Sequence, residues 1–309
     1  MTGAVEIWRG GVNTWECDEM GHMNVRFYVA RFMEGLAGLA MRLGLPHAFS
    51  PEATATLMVE EHHLRFLREA RAGAPLIMTG GVAELGETDA VFLQVLTHAD
   101  SGEPCATALT RVAHTTSVGR SFPWPSRTAA AAEALAVEVP AWAAPRSIET
   151  GPIQTAASLN AADRLGLGCA SRGAIGPVDC DAFGRMRPEI FIGRVSDGVP
   201  GLLSPVRKAV AASVGEAVKR IGGAALEYRL IYLDWPVAGD HLELRSGLSG
   251  FDDKTQRMTH WLLDPVTGRP WGVSEVVAVN LDLDARKIVP ISPEARDALK
   301  DYVTEGLTL

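Results

Sequence analysis

A chain of 309 residues, 47% apolar and 21% charged, can bury a sizeable core as one large domain or two of ordinary size. Its net charge of −8 and pI near 5.5 exclude bulk nucleic-acid binding as the main activity. No run of about 18 apolar residues excludes a membrane-spanning helix. The first ten residues lack the basic-then-apolar pattern of a signal peptide, and Cys17, Cys105, Cys169 and Cys180 show no metal-type spacing. A cytoplasmic protein with reduced thiols is expected.

Val5 to Val12 reads as a short strand ending in Arg9-Gly10-Gly11. A polar, turn-like stretch follows, Trp15-Glu16-Cys17-Asp18-Glu19-Met20-Gly21-His22-Met23-Asn24. From Val25 to Leu43 the apolar residues Phe27, Phe32, Leu36, Leu39, Ala40 and Leu43 recur at helical spacing. Gly44 is the natural stop, with Pro46 just beyond. Small residues at 35, 37, 38 and 40 would let a sheet or a ligand come close to this helix. Four strand-like segments follow: 56–67, 75–85, 90–99 and 105–117. Turn signals at Gly86-Glu87-Thr88-Asp89 and Asp100-Ser101-Gly102 separate the last three. One helix followed by antiparallel strands predicts an α+β unit. Residues 117–157, rich in Pro and Ala, hold a short helix over 127–137, and 140–152 reads as a linker.

The arrangement then repeats. Arg9-Gly10-Gly11-Val12 with Cys17-Asp18, Gly21 and Met23 returns as Arg172-Gly173-Ala174-Ile175 with Cys180-Asp181, Gly184 and Met186, at a constant offset of 163. Ala72-Gly73 and Ser101-Gly102-Glu103-Pro104 return as Ala238-Gly239 and Thr267-Gly268-Arg269-Pro270 at an offset of 166. The chain is therefore expected to hold two copies of one fold: residues 1–140, a linker over 141–165, and residues 166–309. In the second copy, helices are predicted over 188–199 and 293–303, an amphipathic stretch over 205–221, and strands over 225–233, 240–249, 257–263 and 272–281. The copies differ in their chemistry: His22 becomes Arg185, Asn24 becomes Arg187 and Val25 becomes Pro188.

The run Glu16-Cys17-Asp18-Glu19-Met20-Gly21-His22-Met23-Asn24, with Tyr28 four residues on, resembles the signature of hotdog-fold acyl thioesterases. The branch it is most similar to is the 4-hydroxybenzoyl-CoA thioesterase-like one. Plant acyl-carrier-protein thioesterases share the Asp and the His four residues on, and they too are tandem hotdogs. The resemblance implies a tandem (double) hotdog, in which each repeat is a long helix wrapped by an antiparallel sheet. It implies hydrolysis of an acyl-CoA or acyl-ACP thioester with no cofactor, and a fold compatible with a homo-oligomer such as a dimer of double hotdogs. By motif position, Asp18 matches the catalytic carboxylate, and Gly21 and His22 match a helix N-terminal region that polarises the thioester carbonyl. His22 is also a catalytic candidate. Asp181 matches the carboxylate in the second repeat, with Gly184 at its turn. Met20 departs from the plant pattern, which has Asn there.

The local chemistry agrees with that implication. Thioester hydrolysis needs a carboxylate to activate water or to attack, and donors for the developing oxyanion. Asp18 alternatively caps the helix, and Asn24 reads as a structural residue holding the turn. Tyr28 lines a pocket or belongs to the core. Arg185 and Arg187, and more weakly Arg207, Lys208, Lys219 and Arg220, are candidates to hold coenzyme A phosphates. His62 and His63 are adjacent on a strand and point to opposite faces, so one of them at most faces a pocket. Competing readings are a non-catalytic acyl-CoA binding or sensing protein and a hotdog enoyl-CoA hydratase or dehydratase. The four-residue Asp–His spacing counts against the hydratase.

Overall fold

The computed structural model describes residues 3–154, 156–205, 208, 210–211 and 220–309. The chain forms two compact units, Met1–Pro145 with Asp179–Ile190, and Arg146–Val178 with Phe191–Leu309. In the first unit β1 (Val5–Gly11), β2 (Thr56–Phe66), β3 (Pro75–Leu85), β4 (Asp89–His98) and β5 (Pro104–Thr115) form antiparallel pairs in the order β1-β3-β4-β5-β2. In the second, β6 (Gly168–Ala174), β7 (Ile221–Tyr232), β8 (His241–Phe251), β9 (Thr255–Leu263) and β10 (Pro270–Asp282) repeat that order as β6-β8-β9-β10-β7. A short β11 (Lys287–Val289), which the sequence did not signal, adds to β10.

The repetition extends to the irregularities. The ladders skip Ile7 in β1, Glu60 in β2 and Ala83 in β3. They skip Ala170, Leu226 and Ser249 at the matching places in the second unit. A bulge bends its strand and re-aims a side chain, so two units of unlike sequence curve their sheets at the same points. Apolar periodicity does not reveal this. It follows from where the sheet must turn around its helix.

Helix α1 (Val25–Arg42) begins at Asn24, whose side chain accepts from the Arg26 N–H, and ends before Gly44, at φ +80°. Its buried stripe is Tyr28, Val29, Phe32, Gly35, Leu36, Leu39 and Ala40. Tyr28 takes the buried place expected for Phe27. The helix lies close on β1 and β3: a Cβ on Gly38 would stand 2.2 Å from the Ile7 carbonyl oxygen, and one on Gly35 would stand 2.3 Å from the Met78 sulfur. Gln94 on β4 fastens helix to sheet, donating from Nε2 to the Phe32 carbonyl at 2.7 Å and accepting from Thr110 Oγ1 at 2.8 Å. In the second unit the close approach is made by Gly198 of α4 (Pro188–Leu202) against the Ala170 carbonyl. By the repeat offset Gly198 corresponds to Gly35, so the contact falls one turn earlier along the helix.

Helix α2 (Ser126–Ala134) follows β5. The stretch read as a linker carries its own structure. The buried Glu227 carboxylate accepts from the backbone N–H groups of Arg146, Ser147 and Ile148 at 3.0, 2.8 and 3.3 Å. Arg229 donates to the carbonyls of Glu149 and Thr150. Helix α3 (Leu159–Arg164), capped by Ser158, buries Ala161 and Ala162 against Trp261, Leu263 and Val273. Charged strand residues thus hold an irregular segment whose backbone would otherwise lack partners. A last helix spans Pro293–Lys300. Among the described residues no helix is long and apolar enough to cross a membrane. Arg207, Lys219 and most of 205–221 lie outside the described residues.

Candidate active site

The polar stretch after β1 folds into a tight loop held almost entirely by its own groups. The Asp18 N–H donates to the His22 carbonyl at 3.0 Å, and the Gly21 N–H returns to the Asp18 carbonyl at 3.0 Å. Asp18 Oδ1 accepts from the Met20 N–H at 2.9 Å, an Asx turn. Gly21 sits at φ +80°, a conformation that costs a residue with a Cβ. The loop is anchored at both ends. The Met23 N–H donates to the Ala70 carbonyl at 2.7 Å, and the Asn24 N–H to the Glu16 carbonyl at 2.8 Å.

Asp18 Oδ2 stands 3.3 Å from His22 Nδ1, and the two side chains are only 12% and 13% exposed. The carboxylate therefore has one oxygen fixed by a backbone donor and the other beside an imidazole, in a partly desolvated place. Tyr28 lies next to this group as a core residue, 4% exposed, packed edge-on against Phe66 with ring centroids 5.2 Å apart. Burial drives its phenol pKa upward. The Cys105 thiol adds to that, the Ala70 N–H opposes it, and the charges of Glu69 and Asp18 raise it further.

Beneath the loop lies a support that the sequence did not announce. Glu16, 2% exposed, accepts from the Asn13 N–H at 2.8 Å through one carboxylate oxygen and from Arg31 of α1 through the other. The Arg31 guanidinium also lies over the Trp8 ring, 5.4 Å from its centroid. Arg31 is fifteen residues from Glu16, and no local pattern pairs them. Only the return of the helix past β1 brings them together.

The second copy keeps the backbone and changes the side chains. The Asp181 N–H donates to the Arg185 carbonyl at 2.7 Å, the Gly184 N–H to the Asp181 carbonyl at 3.1 Å, and the Arg187 N–H to the Asp179 carbonyl at 2.9 Å. Gly184 has φ +79°. Here the carboxylate is enclosed. Oδ1 accepts from the N–H groups of Phe183 and Arg185 at 2.8 and 3.0 Å, and Oδ2 from Arg185 Nε and Nη2 at 3.2 and 3.1 Å. The same guanidinium rests on the Phe183 ring, 4.8 Å from its centroid. Arg187 pairs with Glu189 at 2.9 Å. Burial raises the Glu189 pKa, opposed by its own N–H and by Arg187 and Arg26.

Three sequence expectations change here. Gly21 and His22 do not form the helix N-terminus: α1 starts at Val25, because the left-handed Gly21 cannot continue a helix and Asn24 caps the one that follows. The Gly21 N–H is committed to Asp18. Arg185 is engaged with Asp181 and Arg187 with Glu189, whereas the sequence offered both as phosphate anchors. Lys208 is exposed, and Arg220 faces Asp284 at 3.4 Å. His62 and His63 are both buried, at 0% and 2% exposure, so both faces of β2 are covered there. Burial alone pushes the His62 pKa down to about 3.

Two copies of a helix laid on a five-stranded antiparallel sheet, each introduced by an Asp-containing loop, define a tandem hotdog-like fold. The chain belongs to the Thioesterase-like superfamily, whose model matches residues 12–142 and again 175–299. A putative oleoyl thioesterase from Lactobacillus plantarum superposes with a TM-score of 0.68 at 12% identity, covering 91% of this chain and 99% of that one. The 12:0-ACP thioesterase from Umbellularia californica gives 0.65 at 10% identity, covering 90% and 94%. An acyl-ACP thioesterase from Bacteroides thetaiotaomicron gives 0.63 at 11% identity, covering 89% and 98%. At these identities the likeness is one of fold. A comparison with curated proteins finds no match.

Proposed function

We propose that this protein is an acyl thioester hydrolase acting on an acyl-CoA or acyl-ACP, and that Asp18 is its working carboxylate. The supporting observation is the state of that carboxylate. Asp18 is partly desolvated, aligned by the Met20 N–H, and faces His22 at 3.3 Å. In this reading Asp18 takes a proton from water as the oxygen attacks the thioester carbon. The thiolate leaves and is then protonated, giving the free acid and the thiol. Direct attack by the carboxylate, through an anhydride, uses the same placement. His22 orients the carboxylate and lies beside the developing charge. Gly21, Asn24 and Tyr28 shape and brace the loop. Asp181, with both oxygens held by Phe183 and Arg185, serves structure in this reading. Gly184, Arg185 and Arg187 complete that closed loop. The boundaries 1–140, 141–165 and 166–309 are proposed as the two repeats and their connection.

Thiol release from a panel of acyl-CoA and acyl-ACP substrates tests the reading. Asp18→Asn is expected to lower kcat by about 10²–10⁴-fold, the usual contribution of a positioned acid–base group. Asp181→Asn is expected to leave kcat within threefold. Loss only with Asp181→Asn would overturn the assignment of Asp18. No release from any thioester would favour the sensing alternative.

A further inference from the structure

The Asp18 loop is held from outside, whereas the Asp181 loop is closed from within. The outside hold centres on Glu16. Its carbonyl accepts from the Asn24 N–H at 2.8 Å, which draws together the two ends of the segment that carries Asp18 and His22. Its buried carboxylate accepts from the Asn13 N–H at 2.8 Å and from Arg31. Arg31 lies about 10 Å further along α1 than Asn24. Glu16 therefore grips the helix at two points, and the loop is fixed to α1 as one body.

Arg31 is itself held in place. One Nη donates to Glu16 and the other to Glu34, and the guanidinium lies 5.4 Å from the Trp8 ring centroid. Trp8 Nε1 in turn donates to Glu34, which ties β1 into the same group. The second copy is built differently. By the repeat offset Trp8 becomes Ser171, Asn13 becomes Gly176 and Glu16 becomes the shorter Asp179, which is partly exposed. Arg31 becomes Arg194, which donates to the Ala174 carbonyl at 3.3 Å. There the Arg185 fork closes the loop around its own carboxylate. A histidine in that position sets no fork, so the first loop takes its stiffness from Glu16 and Arg31.

We infer that Arg31, acting through Glu16, is a positioning residue for the Asp18–His22 pair. It sets where the carboxylate and the imidazole stand, and it is given no contact with the reacting atoms. A charge-assisted hydrogen bond between a guanidinium and a buried carboxylate is directional, so it fixes geometry as well as stability. Placement matters to the chemistry, since a shift of about 1 Å at a reacting group costs about 100-fold in rate. The inference rests on the reading of Asp18 as the working carboxylate.

The test measures kcat and KM for thiol release, and the His22 ring signals by NMR, in the full chain. The proteins are wild type, Asp18→Asn, Arg31→Met, Arg31→Lys, Glu16→Gln and the double variant Glu16→Gln with Arg31→Met. Arg31→Met is expected to lower kcat by about 10–100-fold, with KM within about threefold of wild type. Arg31→Lys keeps a cation on Glu16 and should restore kcat to within about threefold of wild type. Glu16→Gln keeps an acceptor for the Asn13 N–H and weakens the pair, so it should lower kcat about tenfold whether or not Arg31→Met folds well. The double variant should lose no more than Arg31→Met alone, because both changes remove one contact. The His22 ring signals should move in Arg31→Met and return in Arg31→Lys. Unchanged kcat in Arg31→Met or in Glu16→Gln, equal losses in the Met and Lys variants, additive losses in the double variant, or a rise in KM at constant kcat would overturn the inference. If wild type releases no thiol, or Asp18→Asn keeps its kcat, the thioesterase reading falls instead. The ring signals then decide the inference alone, and an unmoved His22 in Arg31→Met would overturn it.

Discussion

The loops around Asp18 and Asp181 share a backbone and differ in what surrounds the carboxylate. Each closes through the same carbonyl and N–H pairs, and each turns on a glycine near φ +80°. In one, an imidazole stands 3.3 Å from the carboxylate. In the other, a guanidinium fork and a second backbone N–H take every remaining site. A forked arginine is a permanent cation with fixed donors, so it occupies the carboxylate's oxygens. A histidine at 3.3 Å sets no such fork on the Asp18 carboxylate. Position within a repeated fold therefore does not fix the surroundings of a carboxylate; the neighbour four residues along changes them.

Making the first loop resemble the second should break the difference most severely. His22→Arg is expected to fork Asp18 and lower kcat for thioester hydrolysis by about 100-fold or more, the lower range for loss of acid–base assistance. Its fold should survive by circular dichroism, because Arg185 shows that the loop accepts arginine. Retained activity would mean that the imidazole is incidental.

The two units should also share a pH response. His62 in the first and His260 in the second are buried and neutral, with pKa values lowered to about 3 from 6.5 by desolvation. Their unfolded forms take up protons as pH drops below 6.5, and the folded forms do so only near 3. Stability is thus fully present above pH 6.5 and falls between 6.5 and about 3. Each histidine contributes a slope of at most about 1.4 kcal/mol per pH unit. Urea unfolding at pH 7, 6 and 5 measures it. His260→Gln, which restores the first unit's residue, should roughly halve the slope.

Smaller effects separate the loops as structures. Arg185→Ala should cost about 1 kcal/mol, since the Asp181 pair is only partly buried, and should leave thioester turnover unchanged. Gly21→Ala and Gly184→Ala should each cost about 1 kcal/mol, nearly equally. No atom lies within 4 Å of either added Cβ, so only the positive φ opposes the change. A large inequality in melting shift would show that the two backbones are not equivalent.

Much of the fold was written in local pattern. The apolar spacing from Val25 onward, Gly44 as its stop, the turns at Gly86 and Gly102, and the offset of 163 together placed α1, the strands and the second copy. Helix period and turn chemistry are local properties, so a sequence displays them. The Asp18 loop was legible for the same reason: apart from the Met23–Ala70 anchor, its bonds join residues no more than eight apart. The sequence also placed Asp181, Arg185 and Arg187 together, without showing that the arginine would enclose the carboxylate.

Tertiary structure alone decided the rest. It buried Glu16 under Arg31 and put Tyr28 in the core. It set the Glu227 carboxylate beneath the backbone of Arg146–Ile148, and it buried His260 against Ser246 where the first unit has Gln94 bonded to Phe32 and Thr110. Each of these depends on which side chain a distant strand or helix presents, and on whether a buried polar atom finds a partner there. Such pairing is fixed by packing across tens of residues, and no local pattern carries it.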